Sequence, residues 1–126
     1  MDISVPISVG ELVDKITILR IKSKHIKEAA KLQNIRKELT ALEGVCGKHG
    51  IDLSHRLVDE LEAVNQELWI IEDDIRDKER AKIFDEGFIS LARAVYVTND
   101  KRFKAKSAIN AHFGSAFHEE KSYKEY

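Results

Sequence analysis

Apolar residues recur through the middle of the chain at Leu57, Leu61, Val64, Leu68, Ile71 and Ile75, alternately four and three apart. That alternation keeps one face of an α-helix apolar and gives it the knobs-into-holes seam of a packed helix. It predicts a single long helix from about Ser54 to Arg80, whose roughly 25 helical residues at 1.5 Å each give about 37 Å. Such a helix is as long as a domain of this size is wide, so it is expected to span the whole molecule.

The flanking segments read as shorter helices. Ile3, Val5, Ile7 and Val9 alternate with polar residues or Pro6, which suggests an extended arm. Ser8 and Glu11 have capping-box spacing, so a helix is expected to start at Val9 with Leu12, Ile16, Leu19 and Ile26 inside. The phase of that stripe fails between Lys27 and Lys31, and a new seam runs from Leu32 through Ile35, Leu39 and Leu42 to Cys46. A break there is expected, with the second and third helices paired as an antiparallel hairpin. Gly44, Gly47 and Gly50 close the second helix, and Asp52 or Ser54 can cap the third. Asp85 can cap a fourth helix containing Phe88, Ile89, Leu91, Ala92 and Val95. The polar run Thr98-Asn99-Asp100 reads as a break and a new cap before a fifth helix that ends at Gly114-Ser115. The tail from Ala116 to Tyr126 is charged but keeps Phe117, Tyr123 and Tyr126, which suits docking onto the body.

Composition supports this reading and narrows the function classes. The 126 residues fit one domain, and a single proline among many Lys, Glu, Leu and Ala belongs to an all-α chain. No stretch approaches 18 consecutive apolar residues, so a membrane span is not expected, and the start of the chain lacks the pattern of a secretory signal. A net charge of −1 argues against general nucleic-acid binding. The lone Cys46 lies on an apolar stripe and reads as a buried thiol in a reducing, cytoplasmic protein.

Three polar stripes carry what chemistry there is. On the long helix, Asn65, Trp69, Glu72 and Arg76 fall within about 60° of one another beside the apolar seam. They read either as a boundary stripe with one Glu72–Arg76 ion pair or as the edge of a polar ligand pocket. On the fifth expected helix, Asn99, Phe103, Lys106 and Asn110 share a face, with Asp100 and Arg102 beside it. Amides and cations on one stripe suit a carboxylate or phosphate, although capping and solvation explain several of them too. On the first helix Glu11, Lys15, Ile18 and Lys22 share a face with Asp14 one step around, and the capping box already accounts for Glu11. The five histidines show no zinc-binding spacing, and no phosphate loop or nucleophile motif occurs. Neither a metal nor a cofactor is expected, and nothing in the sequence separates an enzyme from a binding protein.

Three stretches together resemble a known family: Ile7–Leu19 (ISVGELVDKITIL), Leu68–Arg76 (LWIIEDDIR), and Thr98–Arg102 with Lys106, Ile109-Asn110, Gly114-Ser115 and Glu119–Tyr123. This is similar to a small bacterial family recorded only as a domain of unknown function. The resemblance runs over nearly the whole chain, except that His25 to Leu53 departs from it and behaves as a variable spacer. It implies a bacterial or phage-like cytoplasmic protein, found near glycosyltransferase and polysaccharide genes, and supplies no activity. It also singles out Glu11, Asp14, Lys15, Trp69, Glu72, Asp73, Arg76, Asn99, Asp100, Arg102, Lys106, Asn110, Glu119, Glu120 and Lys121.

The expected architecture is therefore an antiparallel bundle of four to five helices around a long central helix, dimeric, with short extended termini. The expected function is binding of an anionic small molecule such as a sugar phosphate or nucleotide. Arg76, Arg102 and Lys106 would meet the anion, Asn99 and Asn110 would orient it, and Trp69 would stack on it. The alternatives are a non-enzymatic helical dimer that serves a partner, and a magnesium-dependent all-α nucleotide pyrophosphatase, whose acidic pattern the chain does not reproduce in order.

Overall fold

Ser8 sets the first helix: its Oγ accepts the Glu11 backbone N–H at 3.0 Å, and its own backbone is extended. The computed structural model describes residues 1–126 and contains four helices, α1 (Val9–His25), α2 (Ala29–Lys48), α3 (Arg56–Ala81) and α4 (Glu86–Phe113), with no strand. The expected break is present but slightly early: Ile26, expected inside the first helix, is extended just past its end, and α2 already begins at Ala29.

α1 packs against each of the other three helices, whereas α2 touches only α1. The expected α2–α3 hairpin is therefore not formed, and the element at the centre is α1, not the longer α3. Its apolar residues explain this. Leu12 and Ile16 meet Cys46, Leu39 and Leu42 of α2, while Val13 meets Val58 and Leu61 of α3 and Ile109 of α4. Ile51 and Leu53, in the α2–α3 connection, pack against both groups and join them into one core.

Two caps differ from expectation. α3 starts at Arg56, capped by His55, whose Nδ1 accepts the Leu57 N–H at 3.1 Å. Asp52 and Ser54 are occupied with each other, the Ser54 N–H donating to Asp52 Oδ1 at 2.9 Å. α4 runs unbroken through Thr98-Asn99-Asp100, so there is no fifth helix. Such residues cost a helix only about 0.7 kcal/mol each relative to Ala, and packing against α3 outweighs that where no Pro or Gly intervenes. Asp85 does cap α4, accepting the Phe88 N–H, and Gly114 ends it at φ 66°.

The core is small and one-sided. Between Glu72 and Val97 no residue is fully buried: Ile75, Phe88, Leu91 and Val95 are partly covered where the far halves of α3 and α4 face each other, and Ile83, Phe84 and Ile89 are exposed. No helix is long and apolar enough to cross a membrane.

Candidate functional site

The inward-facing residues of α1 that are not apolar are Gly10, Asp14 and Thr17, four and three apart on one side of the helix. Asp14 is only 1% exposed, an expensive place for a carboxylate unless it is fully partnered. It is. Asn65 Nδ2 donates to Asp14 Oδ1 and to Thr17 Oγ1, both at 2.9 Å, and Thr17 Oγ1 donates back to the Asp14 carbonyl. Arg102 from α4 completes the group, with Nε 2.9 Å from Asp14 Oδ1 and Nη2 on Oδ2. The hydrogen bond and the charge of Asp14 raise the Arg102 pKa further above its already high ordinary value.

One turn along α4, Lys106 is buried between two carboxylates, Glu11 of α1 and Glu119 of the tail, each 2.9 Å from Nζ. Burial pushes the ammonium toward neutrality, but its contacts with the Glu119 and Glu11 carboxylates outweigh that and hold the pKa above the usual lysine value. A further turn along, Asn110 Oδ1 accepts the Gly10 N–H at 2.6 Å, and Ser115 Oγ accepts the Val9 N–H at 3.1 Å. Together with Ser8 they satisfy the free N–H groups at the start of α1, so that helix end is filled by the protein itself. The helices approach closely here: a Cβ on Gly10 would lie 2.6 Å from the Lys106 carbonyl oxygen.

Beside this cluster the tail lies along α4 and encloses an open groove of about 1220 Å³. Its walls carry the rings of Tyr96, Phe103, Tyr123 and Tyr126. Tyr126 donates its hydroxyl to Asp100, which holds that hydroxyl above its ordinary pKa, and Lys121 sits 5.2 Å over the Phe103 ring. Of the lining lysines, Lys101 pairs with Glu67 at 3.7 Å. Lys104, Lys121 and Lys124 have no carboxylate partner. Glu119 lines the groove as well, so one residue belongs to both the groove and the buried cluster.

The structure thus gathers Glu11, Asn65, Arg102, Lys106, Asn110 and Glu119 around Asp14, and places Asn99, Asp100 and Lys121 along the adjoining groove. It does not bring the rest of the α3 stripe to them. Trp69 stacks on His25, 5.0 Å between ring centres, and Arg76 pairs with Glu72 on the exposed surface. Lys15, Asp73 and Glu120 are exposed. Arg102 and Lys106, expected to meet an external anion, are held by the protein's own carboxylates. Of the groove-lining residues not singled out, Tyr96 and Lys104 lie on α4 one turn either side of Asp100, a helical spacing that carried the signal, whereas Lys124 is in the irregular tail, which has no period. Thr17 had a usable signal, since Gly10, Asp14 and Thr17 interrupt an otherwise apolar face at helical intervals. No three His, Cys, Asp or Glu side chains come together in a way that would hold a metal ion.

Fold and site together define a four-helix protein with an ion-paired interior opening onto a lysine- and tyrosine-lined groove. The chain belongs to the family described as Family of unknown function (DUF6165), whose model matches residues 3–126. No curated protein and no solved structure matches it.

Proposed function

We propose that the protein binds an anionic small molecule carrying a ring, a nucleotide or sugar phosphate, in the groove between α4 and the tail. The observation that carries this reading is the pairing of aromatic faces with three lysines in direct contact with no carboxylate, Lys104, Lys121 and Lys124, in a groove that also carries Asp100, Glu119 and Glu125. Rings supply stacking area at little entropic cost, and unpaired ammonium groups supply charge where the ligand brings the opposite sign. Asn99 and Asp100 provide hydrogen-bonding groups for hydroxyls or a base edge. The buried Asp14–Arg102 pair is the anchor that fixes α4 relative to α1. In this reading the anion contacts move from Arg76 and Arg102 to the groove lysines, and a sugar phosphate would suit a bacterial cytoplasmic role close to polysaccharide metabolism. A ligand that binds only the folded protein must raise its melting temperature. A thermal-shift screen of nucleotides and sugar phosphates is expected to give a stabilising hit that Lys104→Ala/Lys124→Ala abolishes. A hit unchanged by that double substitution places the site elsewhere.

A second reading, a homodimer, is favoured by the projecting half of the α3–α4 pair. Ile70, Ile83, Phe84 and Ile89 are exposed there with no third element over them. The two readings are compatible, since the groove lies along the middle of α4 from Val95 to Lys104, beyond the exposed Phe84 and Ile89.

A further inference from the structure

The tail lacks regular structure, yet one of its side chains enters the buried cluster. Glu119 places Oε2 2.9 Å from the Nζ of Lys106, a residue only 6% exposed. Glu119 also forms part of the groove lining, so its carboxylate stands where the groove meets the buried cation. We propose that Glu119 is a built-in stand-in for the ligand: its carboxylate holds the place at Lys106 that an anionic group of the bound molecule takes over. This rests on the groove being the binding site.

The two carboxylates on Lys106 are not equivalent. Glu11 is fixed within α1, whereas Glu119 sits in a chain segment with no helix to hold it. The tail's other attachments, Tyr126 to Asp100 and Lys121 over Phe103, do not involve Glu119 and would keep the groove assembled while Glu119 turned out. Removing Glu119 leaves Lys106 a free N–H donor in a buried setting, where charge-assisted hydrogen bonds are strong.

Charge balance indicates the class of group that fits. Arg102 and Lys106 face three carboxylates, Asp14, Glu11 and Glu119, so the cluster carries one net negative charge. With Glu119 turned out it is neutral, and one incoming negative charge restores the original balance. A monoanionic oxyanion, either a carboxylate or a phosphodiester, is therefore the match for this position. A phosphate monoester dianion would exceed it by one charge. The unpaired groove lysines Lys104, Lys121 and Lys124 are left for any further anionic group.

Calorimetric titration of the full chain with cyclic AMP, glucuronate and AMP tests this. The first two separate a phosphodiester from a carboxylate, and the third presents a dianion. Wild type is expected to bind at least one monoanion more tightly than AMP. Glu119→Gln, which removes the internal competitor's charge, should tighten that binding about tenfold, close to 1.4 kcal/mol. The gain should vanish in Glu119→Gln/Lys106→Met, whose fold is checked by thermal melting. Equal affinity in wild type and Glu119→Gln overturns the stand-in role and leaves the groove reading intact. A gain that persists in the double variant also overturns it. Binding by none of the three probes to any variant overturns both.

Discussion

Arg102 meets Asp14 side-on across 88 residues of chain, giving the acid two guanidinium contacts in a position where it is almost wholly removed from water. A buried pair of this kind contributes little net stability when compared with two apolar residues, because both charges had to be desolvated. Removing one partner is different, since the other is left without its counter-charge. Asp14→Asn is therefore expected to destabilise by about 2–3 kcal/mol, at or below the lower end for buried pairs because Arg102 retains some solvent access. Asp14→Leu/Arg102→Met should recover most of that loss. Urea denaturation of the three proteins checks it, and a double variant no more stable than Asp14→Asn would show the network to be worth more than its two charges.

The α1–α4 crossing depends on the absence of a side chain at Gly10. A helical glycine replaced by alanine ordinarily gains about 0.5–1 kcal/mol. At Gly10 the new Cβ would sit 2.6 Å from the Lys106 carbonyl oxygen and 2.9 Å from Asn110 Oδ1, the first of which is backbone and cannot turn aside. Gly10→Ala should push α1 from α4 and cost about 1–3 kcal/mol, the usual penalty of overpacking. Gly44, inside α2, has nothing within 4 Å of its Cβ position, so Gly44→Ala should stabilise. Thermal melts of the two variants should move in opposite directions, and a shift of the same sign in both would mean that helix propensity, not the crossing, dominates at Gly10.

How far the sequence revealed this molecule depended on whether a feature has a helical period. The Ser8 and Asp85 caps are local signals and appear at the expected places, while the break comes a residue or two earlier than the apolar phase implied and leaves Ile26 outside α1. Thr98-Asn99-Asp100 misled because a polar run resembles a cap, while the force that keeps α4 straight comes from α3. The pairing of helices was hidden for a related reason: α2 and α3 both carry good seams, and only the two apolar sides of α1 decide that they meet it and not each other. In the site, Asn99, Phe103, Lys106 and Asn110 were legible as one stripe, with Asp100 and Arg102 beside it. That Asp14 and Glu119 neutralise two of its cations is a long-range fact that spacing cannot carry.

Alkali should weaken the fold in two stages. Burial pushes the Cys46 thiol above its usual 9.0, so the folded chain keeps a proton that the unfolded chain releases. Lys106 is likewise held above its usual 10.5, against the effect of burial, by Glu119 and Glu11. For a group whose pKa is raised by folding, the stabilisation is complete below the unfolded value and is lost as pH rises through the folded one. Urea midpoints are expected to be level near neutrality, to decline once pH passes about 9, and to fall more steeply beyond about 10.5. Cys46→Ala should remove the first decline and leave the second. A midpoint that rises through this range would show that other groups control the alkaline limit.

The projecting half of the α3–α4 pair sets the last expectation. From Ile71 to Ala81 the α3 contribution is roughly 16 Å long, which allows two helices to cover each other on one side only. Phe84 is 56% exposed and Ile89 46%, values that burial in a third element would remove. A second copy supplying an identical pair would complete a four-helix arrangement, with each partner contributing something near the 800 Å² of a standard interface. The charges alongside permit this approach, because Lys78–Asp85, Arg80–Asp77 and Lys82–Glu79 are already paired within the chain and add no net repulsion. Sedimentation of the wild type is expected to give twice the monomer mass, and Phe84→Glu/Ile89→Glu should return it to one without loss of helix content. A monomer in both cases would leave these residues as ordinary surface, whereas a dimer unaffected by the two charges would move the interface to another face, with the exposed arm at Ile3, Val5 and Ile7 as the next surface to alter.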